Sequence, residues 1–130
     1  MTKARGKRGK GHGGAHFVQL PEWVLVTPAW CSLSGNARAL YIELKRRYKG
    51  SNNGSIRLSH RDAAELLNLH RNSVGRYYRE LEDKGFIRMM EGHHLGPSGI
   101  GKTARWALDE YKTDTDGKPA LKRFVQWRKY

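Results

Sequence analysis

The chain has 130 residues, with 25 Lys and Arg against 12 Asp and Glu, giving a formal net charge of +13 at pH 7. That is one domain's worth of chain, and its charge predicts a polyanionic partner, because a basic field concentrates phosphates around the protein. No apolar run approaches the roughly 18 residues of a membrane span, and the basic N-terminus lacks the apolar centre of a signal peptide. Cys31 is the only cysteine, which excludes a disulfide framework and a Cys-based zinc site and makes the reducing cytoplasm the expected compartment.

Residues 1–16 contain Lys3, Arg5, Lys7, Arg8 and Lys10, five glycines and no acid. Such a segment cannot bury enough apolar surface to offset its ordering entropy. It is expected to be a disordered arm, serving either as a solubilising tail or, the favoured reading, as a contact to phosphates or the minor groove. The next stretch is apolar and punctuated by Pro21 and Pro28, which predict short helical or extended pieces rather than one long element. Trp23 and Trp30 are expected core anchors.

A helix is predicted from Ser34, a plausible N-cap, with Ala37, Leu40, Tyr41, Leu44 and Tyr48 at helical spacing. Lys45, Arg46, Arg47 and Lys49 suit the negative end of its dipole, and Gly50 is the stop. Residues 51–54 have turn chemistry, and 55–58 read as a short strand. Ser59 then caps a short helix with Ala63, Ala64, Leu66 and Leu67 expected to be largely buried. A further helix is predicted from about Arg71 to Lys84, ending at Gly85. Two strand-like segments, 86–91 and 103–108, flank a glycine-rich loop and predict a β-hairpin. In the second of these Ala104, Trp106 and Leu108 share one face, with Arg105 on the other.

The loop contains GPSGIGKT, in which Gly96, Gly101, Lys102 and Thr103 match the P-loop pattern at every specified position. A P-loop needs a buried parallel strand before it and a helix opening at the Lys-Thr, so that backbone N–H groups converge on phosphate. Here the residues after the match alternate like a strand. Only 27 residues remain after Thr103, with no apolar strand ending in a metal-binding Asp. No nucleotide is expected at this string. The glycines make a hairpin tip to which Lys102 adds a charge for phosphate.

The element order, helix, short strand, helix, tight turn, helix, hairpin, predicts an α+β fold of the winged helix-turn-helix type: a three-helix core, a hairpin wing and the basic arm. Residues 17–111 form the expected domain, and 112–130 a C-terminal extension. Within this order, residues 58–87 resemble winged helix-turn-helix regulators of the GntR and MarR type. Ser59, Arg61, Ala64, Leu67, Leu69, Arg71, Val74, Leu81, Gly85 and Ile87 fall at matching places. More loosely, the chain is similar to short helix-turn-helix proteins of bacterial genomes, prophages and plasmids. The resemblance implies double-stranded DNA binding. Two departures matter. Asn68 replaces the turn glycine, which Asn's tolerance of left-handed geometry allows. His70 replaces the capping Ser and is a weak N-cap, so Asn72 is the alternative helix start.

On the last predicted helix Val74, Tyr78 and Leu81 share a core face, and Asn72, Arg76 and Arg79 align opposite them. Arg can take guanine O6 and N7, and Asn adenine N6 and N7, each contact contributing roughly 1–3 kcal/mol of base discrimination. Arg71, Ser73 and Tyr77 complete the expected reading set. The competing reading makes Arg76 and Arg79 ordinary solvated helix charges, with Glu80 and Asp83 as optional partners at i, i+4. Gly75 is unexpected in mid-helix and suggests close approach of the backbone to DNA or to a neighbouring helix. Expected phosphate contacts are Ser59, His60 and Arg61, with His93, His94, Lys102 and Arg105 from the wing. Adjacent histidines without nearby Cys or convincing carboxylate ligands are weak evidence for a metal, so none is expected, and residues 114–117 read as a turn rather than a calcium loop.

Residues 119–130 are predicted to form a short amphipathic helix with Leu121, Phe124 and Val125 on one side and Trp127 at its edge. Packing on the domain and a homodimer contact remain alternatives for it. The expected function is sequence-specific DNA binding without enzyme activity or cofactor, as a small transcriptional regulator or a mobile-element or replication control protein in the nucleoid. A non-specific architectural DNA binder and an RNA binder are the alternatives.

Overall fold

A computed structural model of the chain describes residues 16–92, 94–95 and 101–129. The described residues form a small α+β fold of five α-helices and an antiparallel hairpin. The basic arm to residue 15, and His93, lie outside them.

The two prolines act as expected. Pro21 precedes a one-turn helix α1, Glu22–Leu25, and Pro28 is the first residue of α2, Pro28–Ser32, capped by the Thr27 side chain accepting from the Trp30 N–H. Proline's fixed φ and missing donor cost nothing in a first turn. Helix α3, Gly35–Arg46, starts where the sequence indicated, with the Ser34 hydroxyl accepting from the Ala37 N–H. Helix α4, His60–Leu67, is capped by Ser59 through the Asp62 N–H. Helix α5, Arg71–Asp83, carries Val74, Tyr78 and Leu81 on its buried face.

Strands β1, Ile87–Glu91, and β4, Arg105–Leu108, pair antiparallel, with Ile87 opposite Leu108 and Met89 opposite Trp106. The register slips at a bulge between Met89 and Glu91. Toward the tip, β2, His94–Leu95, pairs with β3, Gly101–Lys102. Lys102 and Thr103 therefore lead into a strand and open no helix. The expected strand at 55–58 is reduced to a single bridge, Ile56 to Trp106.

The core is aromatic at its centre. Trp30, Tyr41 and Phe86 meet edge to face at 5.4–5.9 Å, the geometry that the ring quadrupole favours. Beneath them Lys45 and Glu110 form a buried ion pair at 2.9 Å. The Tyr41 hydroxyl donates to the same carboxylate at 2.6 Å, and Lys45 also donates to the Gln19 carbonyl. Every charge in this cluster thus has a partner, the condition on which burial is tolerated.

Four expectations need correction. Trp23 is 44% exposed and lies at the surface on the Phe124 ring; Trp30 alone of the pair is core. Leu66 is 44% exposed, because the buried side of α4 is set by Ala63 and Ala64 and ends at half-buried Leu67. Helix α5 begins at Arg71 as the helical period indicated, and it is the alternative start at Asn72 that falls: His70 is the N-cap, with Nδ1 accepting from the Asn72 N–H at 3.0 Å. The C-terminal segment forms a single 3-10 turn, Arg123–Val125, rather than an amphipathic helix. Only Phe124 of its expected stripe is buried, while Leu121 and Val125 stay exposed.

That turn nevertheless belongs to the core. Phe124 stacks on Phe86 at 4.7 Å, and the turn's Arg123 pairs with the fully buried carboxylate of Asp109 at 2.6 Å. Gly85 makes the fit possible. Its φ is +86°, and a Cβ there would lie 2.7 Å from the Phe124 nitrogen. Asn53, also fully buried, is a second tie. Its side chain accepts from the Leu108 N–H at 2.7 Å and donates to the Leu108 and Lys112 carbonyls at 2.9 Å, fixing the turn after α3 to the end of β4. Residues 114–117 form the expected turn, with Asp114 accepting from the Asn53 N–H.

Candidate nucleic-acid interface

Helix α4 ends with Asn68 in the left-handed region, φ 57° and ψ 48°, which is what reading Asn in place of glycine required. The Leu69 N–H returns to the Ala64 carbonyl at 2.9 Å, closing the helix in a tight turn. Extended His70 then caps α5. Its ring nitrogen serves as the acceptor that Ser supplies more often.

Helix α5 is braced on several sides. The Tyr78 hydroxyl donates to the Leu58 carbonyl at 2.6 Å, and its ring lies between His60 at 5.0 Å and Trp106 at 5.2 Å, stacked with both. Burial pushes the Tyr78 phenol well above its ordinary pKa. On another side, Glu80 accepts from the backbone and hydroxyl of Ser34. Asn36 donates to the Tyr77 hydroxyl at 3.0 Å, and Lys84 donates to the Ser32 hydroxyl at 2.9 Å. A helix held this way presents its outer face in one orientation, the condition for reading another molecule by shape.

The outer face is basic and open. Arg71, Asn72, Arg76 and Arg79 are all exposed. Neither Arg76 nor Arg79 forms an ion pair with a described residue: Glu80 is taken by Ser34 and lies 3.8 Å from Lys84. The optional pairing of these arginines with Glu80 and Asp83 is not formed, and both guanidinium groups face solvent. Arg76 rests over the Tyr77 ring at 5.7 Å. Ser73 and Tyr77 are half-buried, and Tyr77 has its hydroxyl engaged with Asn36.

Ser59, His60 and Arg61 come together at the start of α4, but in different states. The Ser59 hydroxyl is spent on its cap, His60 is stacked on Tyr78, and Arg61 is exposed. Gly75 faces His60 across the junction of the two helices. A Cβ there would meet His60 Cε1 at 3.5 Å and an Arg79 nitrogen at 3.6 Å, ordinary contacts. The fold itself does not require a glycine at this position.

At the base of the hairpin, Arg105 donates to Glu91 at 2.9 Å. Arg57 reaches the same carboxylate oxygen at 3.4 Å and donates to the Thr103 carbonyl. Two guanidinium groups share one carboxylate oxygen there, so the cluster keeps a positive excess. Arg57 was not among the expected site residues; its position on the segment leading to α4 gives no signal until the hairpin folds beside it. His94 and Lys102 sit opposite each other on β2 and β3.

Among the described residues no three His, Cys, Asp or Glu side chains gather as a metal site, and no helix is long and apolar enough to cross a membrane. No protein-family model, curated protein or solved structure matches the chain.

Proposed function

We propose that the chain is a winged helix-turn-helix protein that binds double-stranded DNA by sequence and has no enzymatic role. In this reading α5 is the recognition helix and the hairpin is the wing. Its biological part would be that of a small transcriptional regulator or a mobile-element or replication control protein at the nucleoid. The observation that carries the reading is the free, aligned face of Asn72, Arg76 and Arg79 on a helix whose opposite face is locked into the core. Bidentate donors on a rigid, N-terminal-entering helix are what base-edge recognition in the major groove needs. Arg61, Lys102 and the arm lysines and arginines would set register through phosphates without specifying sequence.

Selection of duplexes from a random pool at near-physiological salt, with bulk DNA as competitor, tests this directly. A defined motif is expected, and Arg76→Ala should relax preference at particular bases within it. Tight, salt-sensitive binding with no enrichment would instead assign the protein to the architectural class, since counterion release alone favours all sequences equally.

A further inference from the structure

Four of the seven exposed large apolar side chains among the described residues belong to two short segments, residues 23–26 and 121–125, which meet where Trp23 packs on Phe124. Trp23 stacks on buried Phe124 at 5.8 Å. Val26 caps α1 three residues after Trp23, Leu121 lies two residues before the 3-10 turn that carries Phe124, and Val125 is the last residue of that turn. Their exposures run from 41% for Val125 to 62% for Val26. The Phe124 backbone lies against Gly85, just past the end of α5. The patch is thus at the opposite end of that helix from Asn72, about 20 Å away along a 13-residue helix.

We propose that this face docks a second copy of the chain. Two opposite charges beside Trp23 make it self-complementary. Glu22 is exposed, adjoins Trp23 in the chain and forms no ion pair among the described residues. Lys122 places its ammonium 5.0 Å over the Trp23 ring. In a two-fold contact any residue pair occurs twice, so Glu22 of each copy meets Lys122 of the other while the two Trp23 and Val26 faces close over one another. The four side chains leave on the order of 350 Å² open, less than half of the roughly 800 Å² per partner in a standard stable complex. The association is therefore weak and reversible, and it leaves the outer face of α5 open in both copies.

Sedimentation equilibrium of the full chain, from about 1 μM to 1 mM at 0.15 M salt where the Debye length is about 8 Å, should show a reversible dimer. Val26→Lys should abolish it while the circular dichroism spectrum stays unchanged, because that side chain is mostly in water. Glu22→Lys and Lys122→Glu should each weaken association several-fold, since each sets like charges against one another. Mixed in equal amounts, these two variants should recover wild-type association, because both cross-contacts then carry opposite charges. A wild-type chain monomeric throughout, dimerisation indifferent to Val26→Lys, or a mixture no stronger than either variant alone would overturn the proposal. The inference stands apart from the DNA-binding reading: a failed base selection leaves the sedimentation result untouched, and the reverse holds.

Discussion

The Glu80 carboxylate accepts one hydrogen bond from the Ser34 backbone N–H at 2.7 Å and another from the Ser34 hydroxyl at 2.8 Å, joining α5 to the first residue before α3. The same hydroxyl caps α3 through the Ala37 N–H. Glu80→Ala should therefore destabilise the fold by about 1–2 kcal/mol, as for a partly exposed charge-assisted hydrogen bond. Ser34→Ala should cost at least the roughly 1 kcal/mol of a lost N-cap. Urea unfolding of both single variants and the double variant measures the coupling; strict additivity would show that the contact contributes nothing of its own.

Gly75 and Gly85 predict opposite responses to the same change. Gly75→Ala meets only ordinary contacts and should stabilise α5 by about 1 kcal/mol. Gly85→Ala places a methyl group in a left-handed residue and against the Phe124 backbone, and should destabilise by about 2 kcal/mol or more. Thermal unfolding of the two variants reads both signs. A stabilised Gly75→Ala variant with weakened DNA binding would locate the close approach of DNA at that residue.

His70 caps α5 through a ring nitrogen. His70→Ser should maintain or raise stability, and His70→Ala should lower it by about 0.5–1 kcal/mol. Amide hydrogen exchange at Asn72 and Ser73 checks the assignment, since fraying of that first turn should appear with Ala and not with Ser.

Tyr41 and Tyr78 give the fold an alkaline limit. Burial, with the Glu110 carboxylate adding to it at Tyr41, raises both phenols well above their ordinary pKa. A phenol with a raised folded pKa stays protonated in the native state while its unfolded counterpart ionises above about pH 10. Stability is thus independent of these groups below pH 10, then falls by about 1.4 kcal/mol per tyrosine per pH unit as pH rises toward the folded values. Denaturation midpoints between pH 8 and 11 should show this decline, and Tyr41→Phe or Tyr78→Phe should flatten it.

Glu91 holds two arginines at the base of the hairpin. If that surface meets phosphate, Glu91→Gln should tighten DNA binding and steepen its salt dependence by about one to two counterions. Removal of residues 1–16 should do the reverse. An unchanged salt slope in either case would make the altered segment a bystander.

What the sequence made legible was local. Ser34 and Ser59 announce helix starts because a hydroxyl before an apolar period has one effective use. Asn68 marks the turn because few side chains tolerate its backbone. The spacing of Val74, Tyr78 and Leu81 needs only a helix to place them together, and the open face of Asn72, Arg76 and Arg79 follows from the same period. The missed features depend on distant partners. Asn53 reaches residues more than fifty positions away, and Glu80 finds Ser34 across 46. The C-terminal stripe looked helical because Leu121, Phe124 and Val125 have helical spacing, but one ring filling a gap beside Phe86 sufficed to hold the segment as a single turn. His70 was missed for a different reason: its capping depends on which ring nitrogen is turned inward.

Phe124 has a consequence for how the chain comes into being. Phe86, on which it stacks, is nearly forty residues earlier, and the Trp23 ring that rests on it about a hundred, so synthesis releases both long before the ring they share exists. Until the last of the three emerges from the ribosome, the helices already made expose an aromatic surface that the finished protein hides. That interval is when a holdase would find its grip, and slowing translation beyond Phe86 should increase what it captures.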